Sequence, residues 1–355
     1  TDRLAAELAS LDEVVVLTSR GVDTVRPFEV RAEIGNWHDA GGVLRQVRDA
    51  GRGGPVLWQY VPHMYGRGGV NLALGRVMRE LARESVRQVV LAHEVAAPWC
   101  GFPHRFAYAL VQRLMWRAVR RHASAIGIST EGWIPIWAPR EHQAGRVFLA
   151  PSPSNLAVVD VGEREHHRRA WGRRLGWSGN DPVLGFFGSP GPGKQFDWVL
   201  SAWRTARAAI PGLALVVAGE CAPPDLAPFE REAFRGLGYL PAREASEALQ
   251  AMDLLALPFA DGVSERRSSV MAGLAHGTPV LGTFGPATGP TLRASGAVSG
   301  VELRREVFER AAVGLLTDHE RREQLGRRGR EWYRAHADWP VLIQAVRKRL
   351  SEHRG

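Results

Sequence analysis

The chain has 355 residues, 45% apolar, 8% aromatic and 23% charged, with 46 basic against 37 acidic side chains and a net charge of +9. That is an ordinary globular composition, too long for one small core, and it predicts two domains. No run of 18 apolar residues and no signal peptide are read from it, which excludes a spanning helix.

Cys100 and Cys221 lie far apart and suit a reducing cytoplasm without a disulfide framework. The basic charge is spread along the chain and carries no nucleic-acid-binding motif. Phosphorylated ligands or a membrane surface are therefore expected, and nucleic acid is not. Only Lys194 and Lys348 are lysines; the other 44 basic residues are arginine.

In chain order, residues 1–11 pattern as an amphipathic helix, with Leu4, Ala5, Leu8 and Leu11 on one face. A strand follows at 14–18. An α/β domain usually opens on a strand, so a first strand and its loop are expected upstream. Further strands are expected at 56–60, 88–92, 125–128 and 147–149, and helices at 71–84 and 106–122. The loop from Tyr60 to Gly69, with His63 and Tyr65, is aromatic and glycine-rich, a candidate acceptor site because aromatic faces stack on sugars or lipids. The strand at 88–92 runs onto His93-Glu94. Helix 106–122 is apolar on one face and carries Arg113, Arg117, Arg120 and Arg121, a pattern that fits either the sheet or a membrane surface. Ser129-Thr130-Glu131 is placed to cap the next helix.

Pro151 to Asn155 reads as the domain connection. The pattern then restarts: a polar helix at 163–175, a strand at 183–187, a helix at 196–209, strands at 213–217 and 236–240, a helix at 242–252 and a strand at 254–257. Helices at 306–317, 320–335 and 339–350 close the chain. Strands alternating with helices predict two parallel, helix-covered sheets, with a ligand cleft between the domains.

Two stretches of the second half carry chemistry. Gly188-Ser189-Pro190-Gly191-Pro192-Gly193-Lys194 fits the first seven positions of a P-loop, but Gln195 stands where the magnesium-binding Ser or Thr belongs, and two prolines delete N–H groups a phosphate cradle would use. A P-loop phosphotransferase is a poor fit; a lysine at a sheet's carboxyl edge survives. Asp261 to Thr283 packs a charged loop (Ser264, Glu265, Arg266, Arg267), a helix start at Ser268 or Ser269 with one of these as N-cap, a stop at Gly277-Pro279, and a buried strand from Val280. Two arginines and two hydroxyls before a helix N-terminus make an anion site; the plainer reading is a surface ion pair of Glu265 with an arginine.

These stretches resemble retaining glycosyltransferases of family 4, with the GT-B fold. Gly185 to Lys194 resembles the first strand and loop of the family's donor domain, with Lys194 in its lysine slot and Ser189 where an arginine is usual. Asp261 to Val280 resembles its glutamate-rich loop and helix, but Ser264 and Ala272 fall on the two glutamate slots and Glu265 lies one position off. Ala92-His93-Glu94 resembles the strand end where the family keeps a histidine facing the transferred sugar, and the last helix, with Trp339, resembles the one crossing back to the first domain. The likeness implies an α/β GT-B architecture: a first Rossmann-like domain over 1–155, a nucleotide-sugar domain over 156–337 and a crossing helix over 338–355.

It implies retaining transfer, of hexosyltransferase type, from a nucleotide-sugar to a glycan, lipid-linked or small-molecule acceptor, with no metal or cofactor. His93, Lys194, Arg266 and Glu265 would be catalytic. Gly188, Ser189, Lys194, Gly238, Tyr239, Ser264, Arg267, Ser268 and Ser269 would bind the donor, and Tyr60, His63 and Tyr65 the acceptor. A cytoplasmic location with peripheral contact at the inner membrane face follows. The departures at Ser189, Ser264 and Ala272 keep a non-catalytic nucleotide-sugar-binding scaffold as the alternative; a GT-B epimerase or phosphorylase lacks supporting residues.

Overall fold

A computed structural model describes residues 2–22, 25–99, 103–160, 162–177, 182–222 and 224–352 and, of residues 103–105, the backbone alone; Cys100 lies outside them. The chain divides into two compact units. The first holds Thr1–Ser129, Trp133–Ala150 and Trp339–Gly355, the second Thr130–Gly132 and Pro151–Asp338.

The first unit carries strands β1 (Val15–Ser19), β2 (Glu29–Ile34), β3 (Val56–Tyr60), β4 (Gln88–Ala92), β5 (Ala125–Ile128) and β6 (Val147–Leu149). Its helices are α1 (Asp2–Ala9), α2 (Ala40–Gly51), α3 (Ala73–Arg83), α4 (Pro103–His122), α5 (Ile134–Trp137) and α6 (Pro139–Gln143). β3, β4, β5 and β6 form one parallel sheet in that order, while β1 and β2 form a separate parallel pair. β4 and β5 are buried along their whole length. Their uninterrupted apolar runs suit strands covered on both faces.

The second unit carries β7 (Val183–Phe187), β8 (Ala214–Ala218), β9 (Phe234–Gly238), β10 (Leu254–Leu257), β11 (Val280–Thr283) and β12 (Ser299–Val301). Helices α7 (Arg164–Leu175), α8 (Phe196–Arg207), α9 (Pro228–Arg231), α10 (Ala242–Ala251), α11 (Ser268–His276), α12 (Pro290–Ala294), α13 (Arg305–Thr317) and α14 (His319–His336) surround them. The sheet is parallel throughout, in the order β12-β11-β10-β7-β8-β9. Its core includes Trp203, fully buried, whose indole N–H donates to Leu213 O at 3.0 Å. The order reverses between β7 and β10, and the carboxyl ends of those two strands bound the crevice where doubly wound sheets take ligands.

The last helix, α15 (Trp339–Ser351), belongs to the first unit. Trp339, Leu342, Ile343 and Val346 pack with Leu4 and Leu8 of α1 and Leu91 of β4. Every strand expected from the sequence is present, the one expected at 236–240 lying two residues earlier. β2, β12, α2, α6, α9 and α12 were not legible. β2 reads Glu-Val-Arg-Ala-Glu-Ile and α2 opens Ala-Gly-Gly, so charge hides one and glycine the other.

Candidate active site

β7 ends on Phe187 and the chain turns at Gly188, which has φ +103 and donates its N–H to Ala218 O at 2.8 Å. Gly219, after β8, has φ +146, and a Cβ there would lie 2.5 Å from the Gly188 carbonyl carbon, so only glycine fits. Gly219 N in turn donates to Gly238 O at 2.9 Å. Gly188, Gly219 and Gly238 thus bring three strand ends together through backbone alone. Tyr239, next in the chain, is 80% exposed.

The turn continues with Lys194 N donating to Gly191 O at 3.0 Å, and the Lys194 ammonium folds back onto Ser189 O at 2.7 Å. Ala260 N donates to Gly193 O at 2.9 Å, which ties this turn to the loop leaving β10. The two sides of the crevice are therefore joined at their edge.

On the β10 side, Asp261 holds both arginines. Arg266 Nη2 donates to its carboxylate at 3.1 Å, and Arg267 pairs with the other oxygen. The Arg267 guanidinium also lies 4.3 Å from the centre of the Phe259 ring. Burial, then Arg266, pushes the Arg267 guanidinium down from its ordinary value, against the opposing pull of Asp261. Burial, then Arg267, lowers the Lys194 ammonium. Lys194, Arg266 and Arg267 converge on the side of the crevice that holds Asp261, a cationic cluster that would favour an anion. α11 starts directly behind, and no side chain caps its first turn. The N-cap is Arg267, not Ser268 or Ser269. Ser268 is exposed and Ser269 buried in the first turn. Gly277 ends the helix in the left-handed region, as the sequence predicts.

Glu265 corrects the surface-pair reading. Its side chain is fully buried, and neither carboxylate oxygen has a hydrogen-bond partner; Ser264 Oγ beside it is buried and unpartnered too. The loop is fixed from behind: Ser152 N donates to Glu265 O at 2.9 Å, and Thr288 Oγ1 donates to Val263 O at 2.7 Å. Burial, with Glu131 adding repulsion, raises the Glu265 carboxyl from 4.5 to about 7; the nearby peptide N–H groups of Glu265 and Glu131 offset this only in part and lie outside hydrogen-bond geometry.

Sequence reasoning assigned Glu131 to a different helix. Its carboxylate accepts from Thr291 N and Thr291 Oγ1, both at 2.8 Å, at the start of α12. A Cβ on Gly289 would stand 2.5 Å from Glu131 Cβ and 3.1 Å from Glu265 Oε1, so a glycine separates the two acids. Nothing local in the sequence signals this meeting of residues 134 positions apart.

In the first unit, His93 follows β4. Its N–H donates to Tyr60 O at 3.0 Å and its Nε2 lies 2.7 Å from Gln59 Oε1. Burial lowers its ring below the usual histidine range, which favours the neutral form at pH 7. Glu94 is exposed. The aromatic acceptor expectation needs correction. Tyr60 and Tyr65 are core residues, 1% and 5% exposed; their rings lie 6.2 Å apart, Tyr65 meets Trp37 edge-on and Tyr60 packs against Trp116. No ring face is left for a sugar. His63, between them, is exposed.

Helix α4 exposes Phe106, Leu110 and Leu114 at four-residue spacing, continued by exposed Arg117 and Arg121, with the Trp99 ring tilted against Phe106, centroids 4.7 Å apart. No helix among the described residues is long and apolar enough to cross a membrane.

No protein-family model and no curated protein sequence matches this chain. Solved structures do. HepE from Anabaena, crystallised with UDP and glucose, superposes with a TM-score of 0.68 at 14% identity, over 99% of this chain and 96% of that one. WaaG, a glycosyltransferase involved in lipopolysaccharide biosynthesis, gives 0.64 at 16% identity, over 99% and 95%. Sucrose-phosphate synthase from Thermosynechococcus elongatus gives 0.67 at 16%, over 98% and 90%. At these identities the likeness establishes the fold, which is GT-B with two Rossmann-like domains.

Proposed function

We propose that this chain is a glycosyltransferase that transfers a sugar from a nucleotide-sugar to an acceptor with retention at the anomeric carbon. The observation that carries the reading is the cationic crevice at the β7–β10 switch point, where Lys194, Arg266 and Arg267 gather beside an uncapped helix start. A departing nucleoside diphosphate develops negative charge, and fixed cations with free helix N–H groups stabilise it without reorganisation. Gly188, Gly238 and the exposed Tyr239 would accept the nucleoside, since a floor without side chains lets a ligand approach the backbone. Neighbours of the same fold include one crystallised with UDP-glucose, which supports a nucleoside-diphosphate sugar as donor.

Glu265 and Ser264 would accept and donate hydrogen bonds to donor hydroxyls. Their unpartnered buried oxygens are a standing cost that a polyhydroxylated ligand removes. This role supports the loop from Ser264 to Ser269 as a working replacement for the glutamate pair of family 4 glycosyltransferases. His93, neutral and oriented by Gln59, would hydrogen-bond the transferred sugar. The leaving phosphate itself would take the acceptor proton, so the reading requires neither a dedicated base nor a metal. The acceptor is a glycan, a lipid-linked sugar or a small molecule. The apolar-basic face of α4 supports contact with an anionic membrane surface. Sedimentation with phosphatidylglycerol vesicles, and not with phosphatidylcholine vesicles, is expected, with loss in Leu110→Asp; equal binding of both proteins to both lipids would remove the membrane from the reading.

A thermal-shift screen with UDP-, GDP-, ADP- and TDP-sugars identifies the donor. Lys194→Ala and Arg266→Ala are then expected to slow donor hydrolysis on the order of a hundredfold each. Undiminished turnover in both would overturn the assignment, and binding without turnover in the parent chain would favour the scaffold alternative.

A further inference from the structure

Away from the crevice, three side chains with metal-ligand chemistry meet on the α7–α10 side of the second unit. Among the described residues, Asp160, His167 and Glu247 each bring a ligand atom within 4.8 Å of the other two. They come from three pieces of chain: Asp160 from the segment leading into α7, His167 from α7 and Glu247 from α10.

The backbone holds this meeting in place. Val159 N donates to Ser246 Oγ at 3.1 Å, and Gln250 Nε2 donates to Val159 O at 2.9 Å, so α10 grips the residue before Asp160 from both sides of Glu247. Glu163 N donates to Asp160 O, and His167 N donates to Glu163 O, both at 3.0 Å, which sets the start of α7 against the same residue.

His167 decides what the cluster is for. The residue is 4% exposed, its Nε2 has no hydrogen-bond partner, and that atom lies 3.9 Å from Asp160 Oδ2. The distance is too long for a hydrogen bond, and a buried ring nitrogen without a partner is a standing cost. The two carboxylates are held only from outside. Arg243 Nη2 donates to Asp160 Oδ2 at 2.7 Å and its Nε to Glu247 Oε1 at 3.0 Å. That arginine side chain is 65% exposed, where ion pairs are weak, and the pairing leaves His167 Nε2 unsatisfied.

We propose that Asp160, His167 and Glu247 bind a divalent transition-metal cation of the zinc class, with water as a fourth ligand. One imidazole nitrogen and two carboxylates suit such an ion, whereas magnesium and calcium take oxygen alone. A tetrahedral zinc about 2.1 Å from each ligand atom sets them about 3.4 Å apart. Contraction from 3.9 Å for His167 and Asp160, and from at most 4.8 Å for the other pairs, needs only rotation of the two carboxylate side chains. Arg243, at the surface, swings aside.

The ion would tie the segment entering α7 to both helices and take no part in the proposed transfer. Along α7, Arg164 Nη2 donates to Met252 O at 2.6 Å, and Arg168 pairs with Asp253, whose N–H donates to Val183 O at 2.9 Å. This part of α7 therefore sits by the amino ends of β7 and β10, opposite the edge that holds the crevice.

The test titrates the EDTA-treated 355-residue chain with zinc chloride by calorimetry and follows its thermal midpoint. One zinc per chain and a raised midpoint are expected, with no response to magnesium chloride. Affinity is expected to fall on the order of tenfold or more in His167→Ala and in Glu247→Gln. Arg243→Gln frees both carboxylates and is expected to bind zinc at least as tightly as the parent. His166→Ala, which removes the neighbouring ring 5.8 Å from His167, is expected to bind like the parent. No binding by the parent, a magnesium response equal to that of zinc, undiminished binding in His167→Ala or weaker binding in Arg243→Gln overturns the proposal. If His167→Ala does not fold, Glu247→Gln decides: affinity equal to that of the parent overturns it.

Discussion

Glu265→Gln isolates the energetic signature of the candidate site. The carboxyl is fully buried and rises from 4.5 to about 7, chiefly through burial. A folded-state value above the unfolded one means that the native protein binds the extra proton between these values. Stability then falls as pH rises from about 4.5 through 7 and is flat beyond. At 1.36 kcal/mol per tenfold, the whole displacement corresponds to about 3 kcal/mol. Glutamine keeps the shape, supplies N–H donors and does not titrate. The variant should match the parent near pH 4.5 and exceed it by up to about 3 kcal/mol at pH 8. Urea unfolding of both proteins from pH 4.5 to 8, followed by far-ultraviolet circular dichroism, measures the difference. A donor that fills the pocket should shrink the pH dependence of the parent, because its hydroxyls would supply the hydrogen bonds the carboxylate lacks. Parallel pH profiles for the two proteins would refute the reasoning, since they would mean that the carboxylate is solvated or paired.

Gly289→Ala places a Cβ 2.5 Å from Glu131 Cβ and 3.1 Å from Glu265 Oε1. It should lower stability by about 1–3 kcal/mol in the same unfolding assay and weaken donor binding; a neutral result would show that the two acids do not meet across this glycine. The hydrolysis and vesicle experiments above test the cationic crevice and the α4 face in turn.

The sequence by itself determined the alternation of strands and helices, because uninterrupted apolar runs between turn residues admit few readings. It also placed Lys194 at the end of β7 and an arginine loop after β10, since glycine and proline punctuate both turns and the helix behind them. What these residues do there depends on neighbours far away in the chain. Asp261, read only as the start of that arginine loop, proves to grip both arginines. Glu265 looked like a surface partner and is buried beside Glu131, 134 positions earlier. Tyr60 and Tyr65 looked like loop aromatics and close the core against Trp37 and Trp116. Strand order likewise lies outside local pattern: that β1 and β2 pair apart from β3, β4, β5 and β6 is known only from the pairing itself. Periodicity reports which backbone form a segment takes, whereas burial and charge balance are set by whatever long-range packing brings against it.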